Sequence, residues 1–298
     1  MKNAKILHNP NAGKQEHDKK TLVALLESHG VECGYSSTKE EGWQKLEEGF
    51  DFIIVAGGDG TVRKTVVKMI DAQKKKERKP ILLLPMGTAN NIAKSLGIVG
   101  HLDDVVKNIH KRKLKRFDVG RIKGRRKDML FLESFGFGIF PTLMSRMEEI
   151  PEREEATPEE NLALALKELH KIVLEYPAQP YTVIIDGEPY TDHYILIEVM
   201  NTPSIGPNLR ISPNADPGDG EFELIMIPES QRQELAEYIM NKIQGIEKEF
   251  VPVIIKGKKI SIATPAGLLH VDDELKRLKK AKSLSIAPEA GMIEFFVQ

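Results

Sequence analysis

Along the first third of the chain, short apolar runs alternate with amphipathic stripes. Ile6-Leu7-His8 reads as a strand, and Leu22, Leu25 and Leu26 mark a helical face closed by Gly30 at a capping position. A strand through Tyr35, a helix around Trp43, the run Phe52-Ile53-Ile54-Val55-Ala56, a helix carrying Val62, Val66, Met69 and Ile70, and the strand Ile81 to Leu84 continue the alternation. Alternation of this kind predicts an α/β fold built on an open, mostly parallel sheet. In such sheets ligands bind beyond the carboxyl ends of the strands. Three polar loops fall there: Asn9 to Gly13, Gly57 to Thr61, and Pro85 to Asn91.

From about Phe117 the pattern changes to short strand candidates bounded by turns, among them Thr182 to Ile185, Tyr194 to Met200, Phe222 to Ile227, Ile260 to Ile262 and Ser283 to Ala287. This half is expected to be a mainly antiparallel β domain with inserted helices. Thr157 as N-cap, Pro158 in the first turn and Glu160 three residues after the cap start one helix, whose face is Leu162, Leu166, Leu169 and Val173. A second helix is expected over Gln231 to Ile243. The acidic, proline-bearing segment Met147 to Glu160 reads as an exposed loop. The expected division is 1–116 for the α/β domain and 117–298 for the β-rich domain.

A length of 298 residues with 41% hydrophobic and 29% charged residues suits a globular protein of two domains. The net charge of -1 removes a global basic footprint, so no nucleic-acid partner is expected. Cys33 is the only cysteine, which excludes a disulfide framework and fits a reducing cytoplasm. The start of the chain turns polar too soon for a signal sequence, and no apolar run approaches a membrane span. Contact with lipid is therefore expected to be peripheral, at the inner membrane surface. The basic stretch Lys107 to Lys127 is a candidate for that contact, although solvated helix and hairpin ends account for it as simply.

Gly57-Gly58-Asp59-Gly60-Thr61, directly behind a buried strand, has the character of a phosphate cradle. Its glycines let the backbone turn sharply, and the following helix aims N–H groups and its dipole at an anion. Thr88 offers either a phosphate contact or a plain helix cap. Lys14 invites comparison with a P-loop, but His8 and Gln15 occupy the positions that motif requires as Gly and Ser/Thr. In His270-Val271-Asp272-Asp273-Glu274, strand alternation places Asp272 and Glu274 on one face, a carboxylate pair suited to taking a hydroxyl proton; a solvated turn fits the segment equally. Asp186-Gly187 reads as a hairpin turn. Asp216 to Glu221 is a tight turn with or without a hard cation. The stripe Phe131, Phe135, Phe137, Ile139, Phe140, Leu143 and Met144 supplies either core or an apolar acceptor cleft.

Taken in order, Asn9-Pro10-x-Ala12-Gly13, Gly57 to Thr61, Pro85-x-Gly87-Thr88-x-Asn90, Asn201 with Ile211-Ser212-Pro213 and Asp219-Gly220, and Asp272-x-Glu274 resemble the diacylglycerol kinase catalytic-domain family, which includes bacterial lipid kinases and sphingosine kinases. The resemblance covers nearly the whole chain. It implies a nucleotide domain followed by a β-sandwich domain, with ATP in the cleft between them and the γ-phosphate passing to a lipid hydroxyl, diacylglycerol first. Other acceptors, a sphingoid base or NAD, and an inactive nucleotide- or lipid-binding protein stay open as alternatives, as does a homodimer. By position, the resemblance implies ATP contacts at Asn9, Pro10, Asn11, Ala12, Gly13, Thr38, Gly57, Gly58, Asp59, Gly60, Thr61 and Thr88. It makes Asp272 the general base, with Glu274 supporting it or holding catalytic Mg²⁺, and places a structural Mg²⁺ at Asp219 with backbone oxygens near Asp216 and Glu221. Two positions depart from the family pattern: Arg63-Lys64 stands for Asn-Glu, and Asp273 for the glycine of Asp-Gly-Glu.

Overall fold

The computed structural model describes residues 2–12, 17–43, 49–72, 79–151 and 157–298. The chain forms two compact units, Met1–Val119 with Ala290–Gln298, and Gly120–Glu289. A linear division at 116 and 117 does not contain the return of the C-terminal segment to the first unit. That return has a packing reason. Phe295 and Phe296 stack edge-on against Phe117 and Phe52, each pair 5.4 Å between centroids.

In the first unit, β1 (Lys2–His8), α1 (Lys19–Ser28), β2 (Val31–Ser37), β3 (Phe52–Gly57), α2 (Asp59–Ala72), β4 (Ile81–Pro85), α3 (Asn91–Ser95) and α4 (Leu102–Lys111) follow in order. The strands lie β4-β3-β1-β2 and pair in parallel, as the alternation predicts. β3 is buried at every position, the pattern of a strand covered on both faces. Asp18 caps α1 through the Thr21 amide, and Gly30 follows its end with φ of 72°. The helix expected around Trp43 falls largely on 44–48, outside the described residues; Trp43 itself is buried in a turn.

The second unit holds the end of β5 (Leu114–Lys123), then β6 (Met129–Phe131), β7 (Ser134–Gly138), α5 (Ile139–Glu149), α6 (Pro158–Glu175), β8 (Gln179–Ile185), β9 (Glu188–Met200), β10 (Phe222–Pro228), α7 (Arg232–Ile243), β11 (Val253–Gly257), β12 (Ile260–Thr264), β13 (Gly267–Val271), β14 (Glu274–Leu278) and most of β15 (Lys282–Phe296). The pairings β14-β13-β7-β9-β8-β12-β15 are antiparallel, and β10 joins β9 to β11. Alternation along β9 sends Ile197 and Val199 into one core with Phe135, Phe137 and Val271, and Leu196 and Met200 into a second core under α5, α6 and α7. Phe131, Phe135, Phe137, Ile139, Phe140 and Leu143 belong to these cores, so that stripe is packing. The Thr157 capping box forms as the spacing predicts, and Asp186-Gly187 closes the two-residue hairpin between β8 and β9. Among the described residues no helix is long and apolar enough to cross a membrane.

Candidate functional site

The nucleotide candidates sit where β1 to β4 end. Because those strands run parallel, the residues following His8, Ser37, Gly57 and Pro85 share one edge of the sheet. Asn9 ties the edge together: its N–H donates to Ala56 O at 2.9 Å, its side-chain amide lies 3.4 Å from Thr61 Oγ1, and its Oδ1 accepts the Asn11 N–H at 3.1 Å. Thr38 N–H donates to His8 O at 2.8 Å, which sets Thr38 beside the same loop. Pro10, Asn11 and Ala12 continue it; Gly13 and Lys14 lie outside the described residues.

α2 starts at Asp59, directly beyond β3, so its first-turn amides face outward from the strand's carboxyl end. Gly57 is required by Thr61, whose Oγ1 would lie 2.7 Å from a Cβ there. Gly58 and Gly87 need each other: a Cβ on Gly87 would come within 2.5 Å of Gly58 Cα. Asn90 fixes the Gly87 loop. In a left-handed backbone (φ 51°), it accepts the Gly87 N–H at 2.8 Å and donates to Gly87 O at 2.7 Å.

The Asp59 carboxylate is engaged within the unit: its oxygens accept the Asn91 and Ile92 amides, the start of α3, at 2.9 and 3.0 Å. Burial raises the Asp59 pKa, against the pull of those two amides. Thr88 is not a helix cap, since that position belongs to Asn90; its side chain stands exposed in the loop. The Arg63-Lys64 departure is also resolved into parts: Arg63 is buried and Lys64 exposed, so the two are not a pair of cations side by side at the loop.

The carboxylate candidates lie in the second unit, on the two-residue turn between β13 and β14. Asp272 occupies the left-handed position (φ 51°), which a positive-φ-tolerant residue suits, whereas Asp273 does not need the glycine geometry it replaces. The Asp272 carboxylate is seated on three successive amides: Oδ1 accepts from Leu132, Glu133 and Ser134 at 3.1, 2.8 and 3.1 Å, and Oδ2 from Leu132 at 2.9 Å. Such a nest fixes the position of the carboxylate. Glu274 opens β14, half-buried, with the Lys276 ammonium 2.5 Å from its Oε2. Asn201 supports the nest from behind, donating from Nδ2 to Leu132 O at 2.7 Å and from its N–H to Glu133 O at 2.8 Å.

One feature of this region carried no sequence expectation. Glu198, wholly buried in β9, meets His270 of β13, with Nε2 2.9 and 3.0 Å from the two carboxylate oxygens. A carboxylate inside the run Ile195-Leu196-Ile197-Glu198-Val199-Met200 was the available signal.

In the acidic turn the carboxylates make local contacts. Asp216 Oδ1 accepts the Gly218 N–H at 3.1 Å and Asp219 Oδ1 the Glu221 N–H at 2.9 Å. Lys256 Nζ stands 3.3 Å from Asp219 Oδ2 and 3.6 Å from Glu223 Oε1, and Lys258 lies 3.6 Å from Glu221. Among the described residues no cluster of three or more His, Cys, Asp or Glu is arranged to hold a metal ion. The Asp219 carboxylate, expected with backbone oxygens near Asp216 and Glu221 to hold a structural Mg²⁺, meets the Glu221 amide and the Lys256 ammonium in this structure.

Glycine-rich loops on the carboxyl edge of a parallel sheet, joined in one chain to a β-sandwich unit, define a class of nucleotide-binding α/β proteins. Residues 3–122 match the diacylglycerol kinase catalytic domain, and residues 146–291 match the YegS C-terminal NAD kinase beta sandwich-like domain. The diacylglycerol kinase of Bacillus subtilis (strain 168) is 27% identical over 267 residues, 84% of this chain and 81% of its own length. That of Staphylococcus aureus (strain bovine RF122 / ET3-1) is 28% identical over 287 residues, 92% of this chain and 86% of its own. A crystal structure of a diacylglycerol kinase from Bacillus anthracis str. Sterne shares the fold, with a TM-score of 0.71 at 22% identity, over 100% of this chain and 97% of that one. Residues 3–122 thus match a diacylglycerol kinase catalytic domain, and the chain is similar over most of its length to bacterial diacylglycerol kinases.

Proposed function

We propose that this chain transfers the γ-phosphoryl group of ATP to the hydroxyl of a lipid, diacylglycerol being the preferred acceptor. The observation that carries the reading is the contact of Gly58 with Gly87, which brings two phosphate-type loops together at the edge where Asn9 and Thr38 also stand. Backbone N–H groups at the start of α2 would stabilise the transferring phosphoryl group. Asp272, held in its nest, would accept the hydroxyl proton as the acceptor oxygen bonds to the γ-phosphorus and the bond to the β,γ-bridging oxygen breaks, leaving ADP. Glu274 would support that carboxylate electrostatically. Mg²⁺ travelling with ATP would offset charge on the phosphates. An acceptor that resides in a bilayer requires peripheral contact with its surface.

Incubation of the protein with a lipid extract, Mg²⁺ and γ-labelled ATP, followed by chromatography, tests the reading. Label on diacylglycerol that disappears with Asp272→Asn supports it; label on a sphingoid base or on added NAD moves the acceptor, and no label on any acceptor removes the activity.

A further inference from the structure

His270, Gly136 and Glu198 lie in one cross-strand line over three adjacent strands, since Gly136 pairs with His270 on one side and with Glu198 on the other. All three alternate with residues of the sandwich core and therefore face the opposite, helix-covered side of the sheet. Gly136 is what lets the outer two meet. A Cβ at that position would lie 2.0 Å from Glu198 Oε2. With the middle strand bare, His270 Nε2 reaches the carboxylate directly across it.

The other ring nitrogen is committed as well. Nδ1 lies 2.9 Å from the main-chain oxygen of Asp272. Both ring nitrogens thus face acceptors, and only an imidazolium donates from both. A neutral ring would turn a lone pair toward one of those oxygens. Glu198 supplies the charge that keeps the second proton in place: burial alone would lower the His270 pKa, yet the value stands above the usual histidine range because of Glu198 and the Asp272 oxygen. A wholly buried ion pair is a weak source of stability, so its place in an apolar sheet asks for another role.

We propose that Glu198 and His270 are positioning residues: the pair grips the main chain of Asp272 and holds its carboxylate in the amide nest of Leu132 to Ser134. The proposal rests on Asp272 acting on the acceptor as described above. Glu198 fixes the ring, the ring fixes the Asp272 carbonyl, and the left-handed turn residue then presents its side chain in one orientation.

Glu198→Gln is the direct test, because it keeps shape and one acceptor while removing the charge. Two readouts are taken on the full chain: kcat with KM for ATP, and hydrogen exchange at the amides of Leu132, Glu133 and Ser134. The expected result is a kcat about ten- to a hundred-fold lower, a KM for ATP within about twofold of wild type, and exchange at those amides faster by roughly ten-fold or more while α2 keeps its protection. Gly136→Ala should give the same signature, by forcing the two side chains apart. Unchanged exchange at those amides, an unchanged kcat, or protection lost throughout the core overturns the proposal. If the wild type labels no lipid, the kinase reading fails on its own, and the exchange readout alone decides whether the pair holds the nest.

Discussion

Gly58 and Gly87 approach so closely that a Cβ added to either would press on the other, at 3.0 Å from Gly87 Cα in one direction and 2.5 Å from Gly58 Cα in the other. Neither glycine is there for a positive φ; both are there for a close approach of main chain to main chain. Gly87→Ala should therefore separate the two loops. The expected outcome is ATP binding weakened by about ten-fold or more, near 1.4 kcal/mol, measured by titration calorimetry. Wild-type affinity in that variant would mean that the two loops do not form one binding surface.

Asp59 is expected to matter for stability as much as for nucleotide. Asp59→Ala leaves the amides of Asn91 and Ile92 without their buried acceptor, a change worth roughly 1–3 kcal/mol. The urea midpoint should fall accordingly without a change in slope. A midpoint within error of wild type would show that α3 is capped by something else.

The charge on His270 gives stability a pH dependence. Its folded pKa is raised, so the pair's contribution is fully present below the ordinary histidine value of about 6.5 and is lost as pH rises through the raised value. Wild type should lose more stability than Glu198→Gln between about pH 6 and pH 9. Parallel curves for the two proteins, measured by urea unfolding, would contradict the assignment of the second ring proton.

Lys256 stands among Asp219 and Glu223 where a cation is needed. Burial opposes its charge, but Asp219 and Glu223 raise its pKa on balance. Without nucleotide, Mg²⁺ or EDTA should leave the wild-type Tm unchanged. Lys256→Met should lower the Tm at low ionic strength and make it rise on adding Mg²⁺, since clustered carboxylates would then lack their ammonium. A Tm increase with Mg²⁺ in the wild type would show that the turn binds the ion despite the lysine.

The sheet order of the first unit was legible because parallel strands announce themselves as apolar runs, and β3 shows that pattern at every residue. The hairpin at Asp186-Gly187 and the capping box at Thr157 were legible for the same reason: their chemistry is local. What pairwise spacing could not reveal were contacts across long separations. Asp59 looks like a phosphate-loop residue in a five-residue window, and only the fold shows that it reaches Asn91. That β11 brings Lys256 beside Asp219 was hidden in the same way. The Glu198 to His270 pair needed the register of three strands, including a glycine in the middle one, and no local pattern encodes that. The return of Ala290–Gln298 to the first unit was hidden likewise, because its partners Phe52 and Phe117 lie far back in the chain.

The most direct test of the account is transfer of label from γ-labelled ATP to diacylglycerol in mixed micelles with Mg²⁺, for wild type and Asp272→Asn. The account predicts labelled phosphorylated lipid from the wild type and a rate lower by about a hundred-fold or more in the variant, with both proteins binding ATP alike. No labelled lipid from the wild type, or equal rates from the two proteins, would contradict it.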